Sequence, residues 1–128
     1  MNDLAKFETS DPSLVDDLIG SNAADLLARK YTLLSGETVV RGEVVGVVTS
    51  GGKIKASLSA AGDGSETPFG IVATDADATD GDVDVLVYTR GSFNEHALVL
   101  GTAHTVASIR EGFRDKGIYL ETPVQRPA

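Results

Sequence analysis

The apolar residues of this chain change their period at Leu26, and no other feature limits the possible folds as sharply. Beyond that point they recur at every second position, the spacing of strands with one face turned to a core. Leu27, Arg29, Tyr31 and Leu33 fall on one face, and Leu26, Ala28, Lys30, Thr32 and Leu34 on the other. Ser35-Gly36-Glu37 then turns the chain. Residues 38–49 are rich in Val but broken by Gly42 and Gly46, which predicts a strand with a bulge or a sharp bend. Ser50-Gly51-Gly52 closes a hairpin onto residues 53–58, and 59–67 read as loop. Residues 68–73 predict a short apolar strand. Residues 82–90 alternate cleanly, with Val83, Val85 and Val87 inward and Asp84 outward. Residues 98–100 have the composition of one more short strand.

A helical period returns only once in this region. Thr102 or Thr105 can cap a helix in which Val106, Ile109 and Phe113 form one apolar stripe, with Glu111 on the polar side. Lys116-Gly117 supplies a cationic last turn and a left-handed stop. Ile118, Tyr119 and Leu120 are expected to pack back before a Pro-punctuated tail. The fold class is therefore mainly β, a barrel or sandwich, with one C-terminal helix.

Residues 1–25 read differently and are expected to form an N-terminal arm, with residues 26–128 forming the β domain. The arm holds Asp3, Glu8, Asp11, Asp16, Asp17 and Asp25 against Lys6. Ser10-Asp11-Pro12 looks like a helix start, and Leu14, Val15, Leu18 and Ile19 share one stripe that Gly20 can end. So short a helix is marginal alone in water. The segment is either a loose terminus or a helix that needs a surface to lie on.

Composition narrows the function. A chain of 128 residues supports one domain, and burial of roughly two-thirds of its unfolded surface suffices for a core without staples. The net charge of −8 comes without any basic cluster, so nucleic acid and anionic membrane surfaces are not expected partners. Apolar runs of a few residues cannot span a bilayer, and residues 1–20 lack the pattern of a secretory signal. The absence of cysteine rules out disulfides, thiolate metal sites and thiol nucleophiles, as in a reducing cytosol or a fold that needs no staples.

Chemistry is sparse. The acids Asp75, Asp77, Asp80, Asp82 and Asp84 suggest calcium at first sight. An EF-hand loop begun at Asp75, however, puts Asp80 where glycine is demanded and Leu86 where the bidentate Glu belongs. A start at Asp77 ends on Tyr88. Asp80-Gly81-Asp82 is better read as a tight turn entering a strand. His96 and His104 fall on different elements and do not make a metal site by themselves; His104 suits a polar contact near the helix start. No nucleophile elbow, phosphate-binding loop or dinucleotide fingerprint occurs. No catalytic residue, cofactor or metal ligand is assigned, and the chain is expected to bind protein rather than to catalyse a reaction.

The segments 35–49, then 63–73 with its Pro68-Phe69-Gly70, then 85–95 with Gly91-Ser92-Phe93-Asn94-Glu95, then a terminal helix ending Arg114-Asp115-Lys116-Gly117-Ile118, occur in a telling order. Taken together, over about residues 27–121, they resemble the head decoration proteins of tailed phages, the family of the lambda decoration protein. That resemblance implies a compact β-clip domain that forms homotrimers. It further implies binding to the major capsid protein on the outer surface of the expanded head, at three-fold and quasi-three-fold positions. There the protein would cement the shell against internal DNA pressure, having been made in the bacterial host cytoplasm. The arm would be the capsid-binding part, as strand or as helix, with Leu4, Phe7, Leu14, Val15, Leu18 and Ile19 as candidate contacts. Removing residues 1–25 should then leave the domain folded while weakening attachment. The alternative is a small oligomeric β-clip protein that binds a ligand or hydrolyses nucleotides. A lipoyl-like carrier would need a lysine at a hairpin tip with its flanking motif, and Lys53 is the nearest.

Overall fold

A computed structural model describes residues 18–20 and 26–122. Among the described residues eight strands are present: β1 (Leu27–Leu33), β2 (Thr38–Val39), β3 (Val44–Val47), β4 (Ile54–Ala56), β5 (Gly70–Val72), β6 (Ala76–Asp77), β7 (Val83–Asn94) and β8 (Ile118–Glu121). A 3-10 turn at Glu95–Ala97 follows β7, and the α-helix α1 spans Val106–Asp115. The expected mainly β domain with a C-terminal helix is what forms.

Five strands close on themselves in the order β1-β4-β3-β5-β7, with β7 returning to pair with β1. A barrel of this kind leaves none of those strands with an open edge of its own. Most neighbours are antiparallel; β1 meets β4 in parallel at Leu33 and Ile54. β7 is the long element. Its first part pairs with β1 and β5, and its last four residues leave the barrel to pair in parallel with β8, Gly91 facing Ile118 and Phe93 facing Leu120. A register shift separates Leu27 opposite Arg90 from Ala28 opposite Tyr88, so Thr89 bulges at the point where β7 bends out.

Alternation sorts the apolar residues into two cores. Leu33, Val45, Ile54, Val72, Val85 and Val87 fill the barrel. Val44, Ile71, Phe93, Ile109, Phe113 and Ile118 fill a second layer between the barrel wall and α1. Neighbours Val44 and Val45, like Ile71 and Val72, point to opposite faces, and both faces are buried. That is why β3 and β5 read as continuous valine and isoleucine runs, whereas β7 alternates.

The region read as one bent strand over residues 38–49 is divided at Arg41-Gly42 into β2 and β3. Gly46 in β3 is required by packing: a Cβ there would collide with the carbonyl oxygen of Ser65, in the loop folded across it. Helix α1 begins with a reciprocal cap. Ser108 N–H donates to Thr105 Oγ1 at 3.1 Å, and Thr105 N–H donates to Ser108 Oγ at 2.9 Å. It stops at Gly117, whose φ of 87° is open to glycine at little strain. Ile109 and Phe113, both buried, fix its inner face and stabilise the domain by about 2 kcal/mol each. Residues 98–100 form no strand; Val99 makes an isolated parallel bridge to Glu43.

Candidate functional site

Of the six apolar residues read as partner contacts, Leu4, Phe7, Leu14 and Val15 lie outside the described residues. Leu18 and Ile19 are described, and they are not helical. Ile19 forms an antiparallel bridge with Phe93. Asn94 N–H donates to Leu18 O at 2.8 Å, and Gly20 N–H donates to Ser92 O at 2.8 Å. Residues 18–20 therefore lie as a short added strand along the outer end of β7. Leu18 is 2% exposed and belongs to the second core, and Ile19 packs against that core half-buried. The expectation that the helical stripe runs through Leu18 and Ile19 is corrected here. Backbone groups of β7 were available to pair with, and Phe93 and its neighbours offered a pocket for Leu18.

The pairing direction matters for the chain preceding Leu18. Residue 18 faces Asn94 and residue 20 faces Ser92, so Leu18 lies at the end of the pairing nearer the 3-10 turn. That corner is firmly tied. Arg110 Nη2 donates to Glu95 Oε1 at 2.6 Å and Arg110 Nη1 to Leu120 O at 2.9 Å, joining the turn, α1 and β8. The Arg110 guanidinium holds the Glu95 carboxyl below the usual carboxylate range. Asn94 Oδ1 accepts from His96 N–H at 2.9 Å and caps the turn.

The acidic run is consumed by local structure. Asp75 accepts from Arg41 N–H at 2.8 Å, and Asp77 from Thr79 N–H at 2.9 Å and Thr79 Oγ1 at 2.5 Å. Asp82 accepts from Ser35 N–H at 2.8 Å and Lys53 Nζ at 2.6 Å. Asp84 lies 3.7 Å from Lys30 Nζ. These donors hold Asp77 and Asp82 below the usual carboxylate range, chiefly through Thr79 and Lys53 respectively. These four carboxylates thus serve different partners and do not converge. Among the described residues no group of three or more His, Asp or Glu is placed to hold a metal ion.

His104 approaches a serine, but not as a base approaches a nucleophile. His104 Nε2 lies 3.1 Å from both Ser57 Oγ and Glu66 O. A carbonyl oxygen only accepts, so Nε2 carries the proton and cannot also take one from Ser57. Ser57 is fully buried besides. The triplet pins the 59–67 loop to the segment before α1. Lys53, the nearest thing to a carrier lysine, is paired with Asp82.

What the surface offers is contact area. Val40, Leu58 and Val99 are exposed aliphatics that the sequence reading did not single out. Val99 is held on β3, where Val44 N–H donates to Val99 O, and Val40 accepts from Glu43 N–H in the turn before it. Val40 and Val99 sit in apolar runs that resemble core strands, so local pattern gave no sign of their exposure. Exposed aliphatic side chains of this kind suit contact with another protein surface.

Comparison with known families gives one result. The family model described as bacteriophage lambda head decoration protein D matches residues 9–118. No curated protein matches the chain.

Proposed function

The chain belongs to the bacteriophage lambda head decoration protein D family, and from that premise we propose that it is a capsid cement protein. In this reading it binds as homotrimers to the major capsid protein, on the outside of the expanded head at three-fold and quasi-three-fold positions. There it stabilises the shell against internal DNA pressure. The family match over residues 9–118 is the observation that carries the reading. The geometry supports it in a specific way. A closed barrel presents few free strand edges, so attachment falls to surface patches and to the segment that precedes Leu18.

We place the arm at residues 1–17, because Leu18, Ile19 and Gly20 are held on β7. Leu4, Phe7, Leu14 and Val15 are then the arm residues that contact the shell, while Leu18 serves the domain's own core. An arm that orders on contact loses entropy as it binds, so each contact is modest. Three arms on one trimer raise the effective concentration and give durable attachment. A site assembled from several shell subunits exists only in the mature lattice. Binding would therefore favour that lattice by differential affinity.

The test is electron microscopy of purified protein mixed with expanded and with unexpanded heads. Added density at three-fold positions on expanded heads alone is the expected result. No added density on either form would refute the cement reading. Protein lacking residues 1–17 should remain folded but decorate poorly.

A further inference from the structure

A recess of about 470 Å³ opens beside the outer end of β7, lined by Arg90, Ser92, Arg114, Asp115, Lys116 and Tyr119 among others. Its charge is opposite to that of the molecule. The chain as a whole carries −8, yet three cations meet here, with Asp115 as the one carboxylate among the described residues of the wall. Arg90 and Lys116 make no ion pair with any described residue, and Arg114 makes only an exposed contact to Glu111 at 3.7 Å. Other cations of the domain, such as Lys53, Lys55 and Arg110, have carboxylate partners. Placement at the C-terminal end of α1 accounts for Arg114 and Lys116, since cations are favoured there. Arg90 reaches the same place from β7, its stem lying beside Gly117, and Tyr119 stands 49% exposed on the wall.

We infer that this recess docks the acidic N-terminal segment, residues 1–17, of a second copy of the chain. The inference rests on the cement reading only in needing copies held close together. Complementarity of charge is the first argument. Residues 1–17 carry Asp3, Glu8, Asp11, Asp16 and Asp17 against Lys6, whereas the recess is net cationic. Arginine guanidinium groups match carboxylates in a paired, planar geometry, and an exposed Tyr adds a rigid apolar face with a hydroxyl.

Direction is the second argument. Residues 18–20 run antiparallel to β7 with Leu18 beside Asn94 and Gly20 beside Ser92, so the end of that segment to which residues 1–17 attach is the one farther from Arg90. Reach is the third. Seventeen extended residues span about 56 Å, well beyond the about 30 Å width of a domain of this size. On an otherwise acidic surface, copies repel one another except where an arm meets a recess, and this fixes their mutual orientation. The apolar side chains of the same arm stay available to the shell.

Carbodiimide treatment of the full-length protein at low ionic strength tests this, because the reagent joins a carboxylate directly to a lysine amine. Lys53 and Asp82, 2.6 Å apart within one copy, provide the internal control. The expected product is Lys116 joined to a carboxylate of residues 1–17, found by mass spectrometry in covalent dimers or larger species. Reversing Arg90→Glu together with Arg114→Glu should lower its yield by about tenfold, two surface attractions being turned into repulsions. The Lys53–Asp82 product should persist, reporting an intact fold. Control product without any link from Lys116 to residues 1–17 overturns the inference. So does a link confined to single chains, a yield indifferent to the reversals, or a link from Lys116 to shell protein that forms only when heads are added. Decoration of heads by the same protein is scored separately, so cement activity without the link sinks this inference and spares the other.

Discussion

Replacing Leu18 by Ala tests where the arm ends and the domain begins. Leu18 is 2% exposed and belongs to the core cluster that includes Phe93, Phe113 and Ile118. Leu→Ala in a packed core costs about 2–5 kcal/mol, and a site at the margin of a cluster relaxes enough to favour the lower half of that range. For a domain of this size, about 2.5 kcal/mol corresponds to a fall in Tm of roughly 10–20 °C. Truncation sharpens the comparison. Removing residues 1–17 leaves the Leu18 side chain in place, together with the bonds from Asn94 N–H to Leu18 O and from Gly20 N–H to Ser92 O, so Tm should shift by only a few degrees, about 0.5 kcal/mol or less. Removing residues 1–25 deletes the side chain and both bonds, about 1 kcal/mol each, partly offset by the entropy of residues no longer ordered. Its melting point should fall with that of Leu18→Ala. Thermal unfolding followed by circular dichroism, at one fixed protein concentration so that any association contributes equally, reads all three. If the two truncations melt together, or if Leu18→Ala melts with the native protein, residues 18–20 are not part of the domain and the packing argument fails.

Two further outcomes follow from the barrel. Gly46→Ala should destabilise the domain by about 1–3 kcal/mol, since the new methyl collides with the Ser65 carbonyl inside a loop crossing; an unchanged denaturation midpoint would show that the loop can shift aside. Burial, opposed by the Val40 N–H and reinforced by Glu37, raises the Glu43 carboxyl above its ordinary 4.5, so its favourable contribution is full below pH 4.5 and is lost as pH climbs through the higher folded value. Glu43→Gln keeps the acceptor oxygen that takes the Val40 N–H, and should melt above the native protein at pH 7 and level with it below pH 4.5; a gap that ignores pH would contradict the assignment.

The elements that sequence made legible are those whose periodicity follows from burial on one face. β7 alternates because Val83, Val85 and Val87 look into the barrel while Asp84 and Leu86 look out. The α1 caps were legible because Thr105 and Gly117 act on backbone groups within a turn of themselves. The β2–β6 ribbon was not, since its two short strands pair across 37 positions at Val39 and Ala76, and β6 lies inside a run of acids that reads as turn. Leu18 misled for another reason. Leu14, Val15, Leu18 and Ile19 fit a helical stripe, but a two-residue apolar step also fits a strand, and the backbone of β7 chose between them. The recess was invisible for want of local signal, because Arg90 and Lys116 are brought together only by β8 pairing beside β7.

Anchoring at Leu18 gives the proposed arm something other than raw affinity. Shortening a free tether from 25 residues to 17 lowers its closure entropy by only about 0.3 kcal/mol, and three arms together gain about 1 kcal/mol, roughly a fivefold change. A disordered stretch leading straight into β1 would have achieved nearly as much. The difference lies in position. With residues 18–20 paired to the outer end of β7, Leu18 is fixed beside Asn94, next to a corner that Arg110 ties to Glu95 and Leu120. A fixed point of attachment holds the end of each proposed arm at one place on the domain. Loosening that point while keeping the arm should therefore impair decoration more than tether length predicts. Leu18→Ala, assayed below its melting point with residues 1–17 intact, should bind expanded heads more weakly by clearly more than fivefold. A loss no greater than that would show that the fixed point contributes only tether length.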